Sequence, residues 1–273
     1  MFTYIDNIED LSFLNKELMN KLFVGVDTEF RRTTKNNMRS ALLQVNDGEE
    51  IYLIDTIRIE NPRTNCDFLF SDSVQKIFHS CKEDLEAVYS WTGRIMVNLF
   101  DTQIANALLN GHYSIGYQAL VAEKLEVMLD KQETRSNWIR RPLSDSQLDY
   151  AASDVEYLIH LYNEQQKELT RSKKIEWLDE EINHLISLTF EPIEYEEVEF
   201  KLNKIDENNL LIKFHEIVIN VAEREEINPT LLFSKKNQKE FLRLALNEGF
   251  VDASRFITNW RKELIRVPFE KLL

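Results

Sequence analysis

The run KLFVGVDTEF, residues 21–30, limits most strongly what this chain can fold into. Its apolar, β-branched part predicts a strand with a buried end, yet the strand closes on two carboxylates, Asp27 and Glu29. Residues two apart on a strand point to the same face, so the two anions lie side by side. Burying such a pair is costly unless something compensates. The stretch alone is compatible with a solvated strand end or with a site for a hard cation, which prefers carboxylate oxygens.

The composition is typical of a globular protein without a membrane anchor. The 273 residues suffice for one large domain or two ordinary ones. No apolar stretch is long enough to span a bilayer, and the N-terminus lacks the basic region of a secretory signal. Cys66 and Cys81 form no C-x-x-C pair, which argues against a thiolate zinc site. We expect a cytoplasmic monomer with free thiols and no membrane partner.

The formal net charge of −14 argues against a broad basic surface that grips nucleic acid. It is compatible with binding a strand end in a small cleft, where metal ions would supply positive charge. Basic residues are grouped in RRTTKNNMR (31–39) and RSNWIRR (135–141). Each group has two interpretations, a solvated loop or a phosphate contact.

The apolar pattern predicts an α/β fold with a mixed sheet flanked by helices. Strands are predicted at 22–27, 40–46, 50–55 and 95–101, with the turn NDGE joining two of them as an antiparallel hairpin. Helices are predicted at 82–91, 102–110, 117–128 and 144–169. The last one opens with a capping-box signal, Ser144 followed three residues on by Gln147.

The character of the chain changes after residue 170. KKIEWLDEEINHLISL predicts an amphipathic helix, and EPIEYEEVEF (191–200) holds five glutamates without a helical apolar stripe. Residues beyond 204 have apolar positions at helical spacing. We therefore predict a first domain at 1–190, an acidic linker at 191–204 and a helical domain at 205–273.

Further carboxylates have both structural and functional interpretations. Tyr150 and Asp154 lie four residues apart, so they share one face of the late helix, beside its apolar stripe. Asp84 falls in the first turn of the helix at 82–91, where the helix dipole alone would favour an acid. We interpret Asp101, directly before helix 102–110, as an N-cap.

Three motifs, in the order in which they occur along the chain, resemble those of a known family. An Asp-x-Glu closes the first strand (VDTEF), an Asp opens a helix after an intermediate strand (HSCKEDLEAV), and Tyr-x-x-x-Asp lies on a late helix (YAASDVEYL). Together they resemble the DEDD superfamily of 3′→5′ exonucleases, in its tyrosine-containing DEDDy branch, and within it the ribonuclease D family. The resemblance covers about residues 1–185. It implies a ribonuclease H-like (DnaQ-like) exonuclease fold.

The resemblance implies a site for two divalent cations, Mg²⁺ or Mn²⁺, whose chemistry is phosphodiester hydrolysis. By the family pattern, Asp27 bridges the two cations, Glu29 and Asp154 bind one, and Asp84 supports the other. Tyr150 completes the catalytic set. A phenol is a weak base at neutral pH, so we expect Tyr150 to orient the attacking water.

Three more residues are candidates for substrate contacts. Phe30 could stack on the terminal nucleotide and Gln44 could hydrogen-bond to it, although both could be core or sheet residues. His79 begins the second motif, and its alternative is a structural histidine at a strand end.

The C-terminal region resembles the HRDC-type helical domain of ribonuclease D in NPTLLFSKK and NWRKELI. Family members carry two such domains, and residues 205–273 have room for one. The resemblance implies that this helical domain helps to bind structured RNA. Lys235, Lys236 and Lys239 are then candidate phosphate contacts, with a solvated helix end as the alternative.

The resemblance implies a 3′→5′ exoribonuclease that releases 5′-mononucleotides from RNA with a free 3′ end, with tRNA precursors as the implied substrates. One alternative is a DNA exonuclease of the same superfamily, because the acids are common to both. The other is a catalytically inactive RNA-binding protein. The presence of all four acids and the tyrosine argues against that one.

Overall fold

The computed structural model describes residues 1–34, 37–59, 62–129, 136–191 and 203–272. The chain divides into two compact units. The first, here called the sheet unit, comprises residues 1–103 and 115–167. The second, the helical unit, comprises residues 104–114 and 168–273.

The sheet unit is built on six strands: β1 (Phe2–Ile5), β2 (Phe23–Thr34), β3 (Asn37–Asn46), β4 (Ile51–Ile54), β5 (Gln75–Phe78) and β6 (Leu99–Asp101). They form one mixed sheet in the order β1-β4-β3-β2-β5-β6. The β2–β3 and β3–β4 pairs are antiparallel, whereas β1–β4, β2–β5 and β5–β6 are parallel. The predicted mixed sheet and its antiparallel hairpins are confirmed.

Helices flank this sheet: α1 (Ile8–Leu18), α2 (Lys82–Thr92), α3 (Thr102–Leu108), α4 (Tyr117–Leu125), α5 (Asp145–Glu156) and α6 (Leu158–Ser172). The helices predicted at 82–91, 102–110 and 117–128 are confirmed to within three residues at their ends. The predicted capping box at Ser144 and Gln147 is present and opens α5.

The central strand β2 presents alternate residues to two helical layers. On one face Thr28 Oγ1 donates a hydrogen bond of 2.6 Å to Asp84 on α2. On the other face a Cβ added to Gly25 would lie 3.1 Å from the Leu158 Cβ, at the start of α6. Because side chains alternate along a strand, Asp27 and Glu29 share the Gly25 face, towards α5 and α6.

Several elements differ from their predictions. The strands predicted at 22–27 and 40–46 extend into a longer hairpin, with β2 ending at Thr34 and β3 beginning at Asn37, although their polar ends lack an apolar alternation. The prediction of a single helix at 144–169 was wrong, because the structure has two helices there. The helix breaks at Tyr157, whose backbone N donates 2.9 Å to the Tyr117 hydroxyl instead of continuing the helical pattern.

Other misses lie at the edges of the sheet. The strand predicted at 95–101 is reduced to Leu99–Asp101. Strand β1 and helix α1 were not predicted at all. Short, half-buried edge elements such as β1 carry too few alternating positions to stand out in a sequence.

The helical unit contains α7 (Ile175–Phe190), α8 (Lys204–Arg224), α9 (Pro229–Leu232), α10 (Lys235–Glu248), α11 (Phe250–Ala253) and α12 (Asn259–Glu270). Its core is a cluster of five phenylalanines with ring centroids 4.9–5.9 Å apart: Phe214, Phe233, Phe241, Phe250 and Phe269. The all-helical character predicted for this region is confirmed in its described residues.

Helix α7 belongs to the helical unit because its acids cap α12. Glu180 Oε2 accepts hydrogen bonds from the backbone N of Asn259 (2.6 Å) and Trp260 (3.3 Å). Glu181 Oε1 accepts 2.8 Å from the Trp260 indole, and the Trp177 and Trp260 rings stack at 4.9 Å. The compact units divide near residue 167, and the domain bounds predicted from the sequence, 1–190 and 205–273, stay predictions. Residues 192–202, most of the predicted acidic linker, lie outside the described residues.

No helix within the described ranges is both long and apolar enough to cross a membrane.

Candidate active site

The end of β2 meets α5 in a cluster of carboxylates. Asp27 and Glu29 project from β2, and Asp154 projects from α5. One carboxylate oxygen from each of the three lies within 4.8 Å of the others. The two motifs in which the sequence placed candidate acids, far apart along the chain, therefore meet in space.

Asp84 acts on this cluster from α2, although its carboxylate is not among the three described ones that lie within 4.8 Å of one another. It lies in the first turn of that helix, is 5% exposed, and accepts the hydrogen bond from Thr28, the residue between Asp27 and Glu29. Its negative charge is the strongest electrostatic cause, after burial, of the raised pKa of Asp27. Sequence analysis missed Thr28, whose position between two candidate acids was the available signal.

Burial raises the pKa of all four acids, and repulsion from the neighbouring carboxylates adds to the shift of Asp27 and Glu29. Burial, followed by the charges of Asp84, Asp154 and Glu29, holds the pKa of Asp27 well above its ordinary value. Burial with the neighbouring charges raises the pKa of Glu29 to about 9. Burial also raises the pKa values of Asp84 and Asp154 to about 7. Without a cation, the four carboxyls therefore hold fewer than four charges at neutral pH.

This donor set fits a hard divalent cation. The donors of the cluster are all carboxylate oxygens, as Mg²⁺ and Mn²⁺ prefer. Their raised pKa values mean that positive charge placed among them would be stabilised, because it would replace bound protons and relieve the repulsion. The residues present therefore match the cation type expected from the sequence.

Tyr150 adds a hydroxyl to the cluster. It lies one turn before Asp154 on α5, close enough for the phenol to favour the ionised form of that carboxylate and so to lower its pKa, against the effect of burial. Burial and the Asp154 charge raise the pKa of Tyr150, so the phenol keeps its proton. The group can therefore donate a hydrogen bond and is poorly suited to accept a proton as a base.

Gln44 lies directly opposite Asp27 in the β2–β3 register. Directly paired residues of an antiparallel sheet present their side chains to the same face, so Gln44 faces the carboxylate cluster side. Its side chain is fully buried, and neither its amide oxygen nor its amide nitrogen has a hydrogen-bond partner among the described residues. Buried amides are normally satisfied, so this one is an exception that needs a reason.

The other two predicted substrate contacts do not join the cluster. His79 uses both ring nitrogens within the protein, at 2.9 Å from Thr102 Oγ1 and 2.9 Å from the Ile115 carbonyl oxygen. By strand alternation Phe30 shares the Thr28 face of β2, towards α2, with the Arg32 guanidinium 6.0 Å from its ring. Direct contacts from these residues to a substrate stay predictions.

Asp101 organises the turn that presents Asp84. Its Oδ1 accepts hydrogen bonds from the backbone N–H groups of Ser80 (3.1 Å) and Gln103 (2.8 Å). Its Oδ2 accepts a hydrogen bond of 2.8 Å from the backbone N–H of Cys81. The Gln103 bond confirms the predicted N-cap of α3. The other two bonds hold the turn before α2, where Ser80 has a φ of 66°, a role that the sequence did not reveal.

Arg141 is a structural residue, so the phosphate-contact interpretation of its basic group is wrong for this position. Its guanidinium binds Asp55 through two bonds of 2.6 and 2.7 Å. It also donates 2.6 Å to the carbonyl oxygens of both Trp138 and Ala41. These bonds tie the segment before α5 to the sheet and so help to fix the helix that carries Tyr150 and Asp154. Arg135, in the same basic group, lies outside the described residues.

Comparison with known families agrees with this geometry. A family model described as 3′-5′ exonuclease matches residues 2–170, which is more than half of the chain. The chain belongs to this 3′–5′ exonuclease family. All four acids and Tyr150 lie within the matched residues.

Curated relatives of this exonuclease family are named ribonuclease D, which confirms the resemblance seen in the sequence. The ribonuclease D of Pseudomonas paraeruginosa is 38% identical over 172 residues, covering 63% of this chain and 46% of that protein. That of Xanthomonas oryzae pv. oryzae is 42% identical over 164 residues, covering 60% and 45%. The chain spans about half the length of the curated relatives it matches.

Solved structures in this family share the fold. Escherichia coli RNase D aligns with a TM-score of 0.67 at 23% identity, covering 100% of this chain and 75% of that one. Brucella melitensis NrnC aligns with a TM-score of 0.59 at 26% identity, covering 69% and 91%. The predicted fold class, a ribonuclease H-like exonuclease fold with an added helical region, is confirmed.

Proposed function

We propose that this chain is a metal-dependent exoribonuclease that removes nucleotides one at a time from RNA 3′ ends and releases 5′-mononucleotides. The observation that carries the proposal is the cluster of Asp27, Glu29 and Asp154, with carboxylate oxygens within 4.8 Å of one another, in a member of the 3′–5′ exonuclease family. Such a cluster suits phosphodiester hydrolysis, in which charge develops on the attacking and leaving oxygens.

The proposed cofactors are two Mg²⁺ or Mn²⁺ ions held by Asp27, Glu29, Asp84 and Asp154. When bound, two such ions stabilise the charge on both oxygens of the in-line displacement. Asp27 is the acid whose pKa is raised by the charges of all three others, which supports its role as the residue shared by both ions. A related structure, Brucella melitensis NrnC, has been solved with bound Mg²⁺ at 25% identity.

The proposed role of Tyr150 is to orient the attacking water. Its phenol lies beside Asp154, and burial and that charge raise its pKa, which keeps the proton on the oxygen. The phenol is therefore suited to fix the position of a water or a phosphate oxygen, and a proton leaving the water would go to another acceptor.

Gln44 is the proposed hydrogen-bond partner of the terminal nucleotide. Its unpartnered amide offers both a donor and an acceptor beside Asp27, and such a group would be satisfied when a ribose or base edge enters the site.

RNA with a free 3′ end is the proposed substrate, with tRNA precursors as the physiological source. The names of the relatives support RNA, and E. coli RNase D is described as an exoribonuclease involved in structured RNA processing. Brucella melitensis NrnC has been solved bound to pGG. We further propose that the HRDC-like helical region assists with structured RNA, and that the protein acts as a cytoplasmic monomer.

The test is the product pattern from 5′-labelled single-stranded RNA and DNA of the same sequence, incubated with Mg²⁺, Mn²⁺ or EDTA. We expect a ladder that shortens from the 3′ end of the RNA and disappears in EDTA. A preference for DNA would contradict the RNA assignment. Absence of a ladder with either metal would leave a nucleic-acid-binding protein without this activity.

A further inference from the structure

The β2–β3 hairpin continues beyond the carboxylate cluster and carries a pair of arginines there. After Glu29, β2 runs on to Thr34, and in this part Arg31 pairs directly with Arg39 across the two strands. Both side chains are exposed. Like charges directly opposite each other on a sheet are destabilising, so this pair works against the hairpin that carries it.

No carboxylate of a described residue neutralises these two charges. Neither guanidinium has an ion-pair or hydrogen-bond partner among the residues that the structure describes. Arg32, the next residue on β2, has ion-pair partners on α2. Its guanidinium nitrogens lie 2.8 Å from a carboxylate oxygen of Glu86 and 3.5 Å from one of Glu83. Carboxylates are abundant in this chain, with 47 Asp and Glu against 33 Lys and Arg. The two arginines therefore place local positive charge on an acidic chain.

The arginine pair lies in line with the carboxylates. The register shift between Glu29 and Phe30 skips Ala41 on β3, and Arg32 contacts α2 as Thr28 does, so alternation along β2 places Arg31 on the face of Asp27 and Glu29, about 7 Å beyond Glu29. Directly paired residues of an antiparallel sheet present their side chains to the same face, so Arg39 faces the same way as Arg31. One face of the hairpin thus runs from a cation-binding cluster to a cationic pair.

We propose that Arg31 and Arg39 bind the backbone phosphates of a nucleic acid strand, one or two nucleotides upstream of the 3′ end held at the carboxylates. The inference rests on the proposed function, because a strand whose 3′ end lies at Asp27 must extend past the rim of the site. Guanidinium groups suit phosphate oxygens through forked, charge-assisted hydrogen bonds. A phosphate between the two arginines also removes their mutual repulsion.

This subsite contributes affinity without base specificity. Phosphate contacts fix the register of a strand and carry no direct sequence information. The subsite also distinguishes strands from free mononucleotides, because a mononucleotide at the carboxylates has no upstream phosphate to offer. Short oligonucleotides are therefore expected to bind more tightly as one and then two upstream linkages are added.

The variant that tests the inference is Arg31→Gln combined with Arg39→Gln. Binding is measured by fluorescence anisotropy with a labelled single-stranded RNA in EDTA, and KM by cleavage in Mg²⁺. We expect Kd and KM to rise about tenfold or more, and the slope of log K against log salt to become shallower by about 1.4, two phosphates at 0.7 each. The control combines Lys16→Gln with Lys167→Gln, two exposed lysines on α1 and α6, which makes the same change in net charge.

A second arm locates the contact. A single neutral methylphosphonate linkage is moved stepwise from the 3′ end of the RNA. For the unmodified protein we expect the largest loss of affinity with the neutral linkage one or two nucleotides from the end, and for the double arginine variant no dependence on that position. Because the double arginine variant lacks the like-charge repulsion, its melting temperature should be no lower than that of the unmodified protein. Such a result would show that the loss of affinity is not caused by misfolding.

The outcomes separate the inference from the proposed activity. Equal binding by the arginine variant, or an equal loss in the lysine control, overturns the inference while a metal-dependent 3′ ladder leaves the activity standing. Absence of the ladder overturns the activity. Even without cleavage, the phosphate subsite is supported if affinity depends on the position of the neutral linkage in the unmodified protein and not in the arginine variant.

Discussion

At the scale of single residues, the carboxylate cluster lowers the stability of the metal-free protein, and a bound cation would relieve that cost. Three acids meet in a buried place with Asp84 acting on them from α2; burial raises the pKa of all four, and repulsion adds to the shift of Asp27 and Glu29. An acid whose pKa is higher in the folded than in the unfolded chain destabilises the fold wherever the unfolded chain would ionise it. The metal-free protein therefore carries a penalty that grows with pH.

The first prediction follows from the sign of these shifts. The folded state holds protons that the unfolded state releases, beginning near pH 4 and extending to about pH 7 for Asp84 and Asp154 and to about pH 9 for Glu29. The melting temperature in EDTA should fall as pH rises from about 5 to 9. Millimolar Mg²⁺ at pH 8 should raise it and flatten the slope. A melting curve insensitive to Mg²⁺ would contradict the metal site.

The second prediction concerns Asp27→Asn. Asp27 is the acid that the other three repel, so its neutralisation should raise the melting temperature in EDTA. The same change removes the proposed shared ligand, and we expect cleavage to fall at least about a hundredfold, with a smaller stabilisation by Mg²⁺. Thermal melts and cleavage rates on one preparation test both parts. Retained activity would refute the assignment of Asp27.

The third prediction separates function from stability at Gln44. The amide is buried without a protein partner, which costs roughly 1–3 kcal/mol. Gln44→Leu, of similar volume, should therefore be as stable as the unmodified protein or more so. If the amide serves the terminal nucleotide, KM should rise about tenfold, as for loss of one hydrogen bond. A less stable variant with normal KM would assign Gln44 to the core alone.

At the scale of elements, the position of α5 is set from outside the helix. Its capping box fixes where the helix starts, and Arg141 fixes the segment that leads to it. The break at Tyr157 then separates α5, which carries Tyr150 and Asp154, from α6. A continuous helix through residues 144–169 would follow a single axis, whereas two helices can each follow their own part of the sheet.

The fourth prediction tests the Arg141 anchor. Arg141→Met leaves Asp55 buried without its forked partner, and loss of one member of a buried ion pair costs about 3–5 kcal/mol. We expect a marked fall in melting temperature. Arg140→Met removes the exposed neighbouring charge and should change stability by less than about 0.5 kcal/mol. Equal stability of the two variants would show that the Asp55 contact is not structural.

At the scale of the whole molecule, a strongly acidic chain is proposed to bind a polyanion. The net charge of −14 excludes a general attraction for RNA, so binding must depend on local positive charge. The proposed sources are the cations at the carboxylates and the Arg31–Arg39 pair in the sheet unit. In the helical unit, the exposed lysines at the start of α10 are a third candidate.

The fifth prediction addresses that third source. Replacement of Lys235, Lys236 and Lys239 by Gln should raise KM for a structured RNA such as a tRNA precursor several-fold and should leave KM for a short single-stranded RNA unchanged. Cleavage assays on both substrates test it. An equal effect on both, or on neither, would return these lysines to the role of a solvated helix end.

The sequence by itself determined the local features of this protein. The strand that ends in Asp27 and Glu29, the capping box at Ser144 and the shared face of Tyr150 and Asp154 all follow from periodicities of two and 3.6 residues. Those features depend on neighbours a few residues away. For this reason the apolar pattern was sufficient to predict the mixed sheet, and the order of the motifs predicted the family and the meeting of Asp27, Glu29 and Asp154.

The tertiary structure alone decided everything that depends on register and on contacts between distant segments. Pairing of β2 with β3 placed Gln44 beside Asp27 and Arg31 opposite Arg39. The hydroxyl of Tyr117 fixed the break at Tyr157, and the acids of α7 drew that helix into the helical unit. Such contacts join residues about 8–80 positions apart, and no periodic pattern in a sequence specifies which distant partner a buried polar group will find.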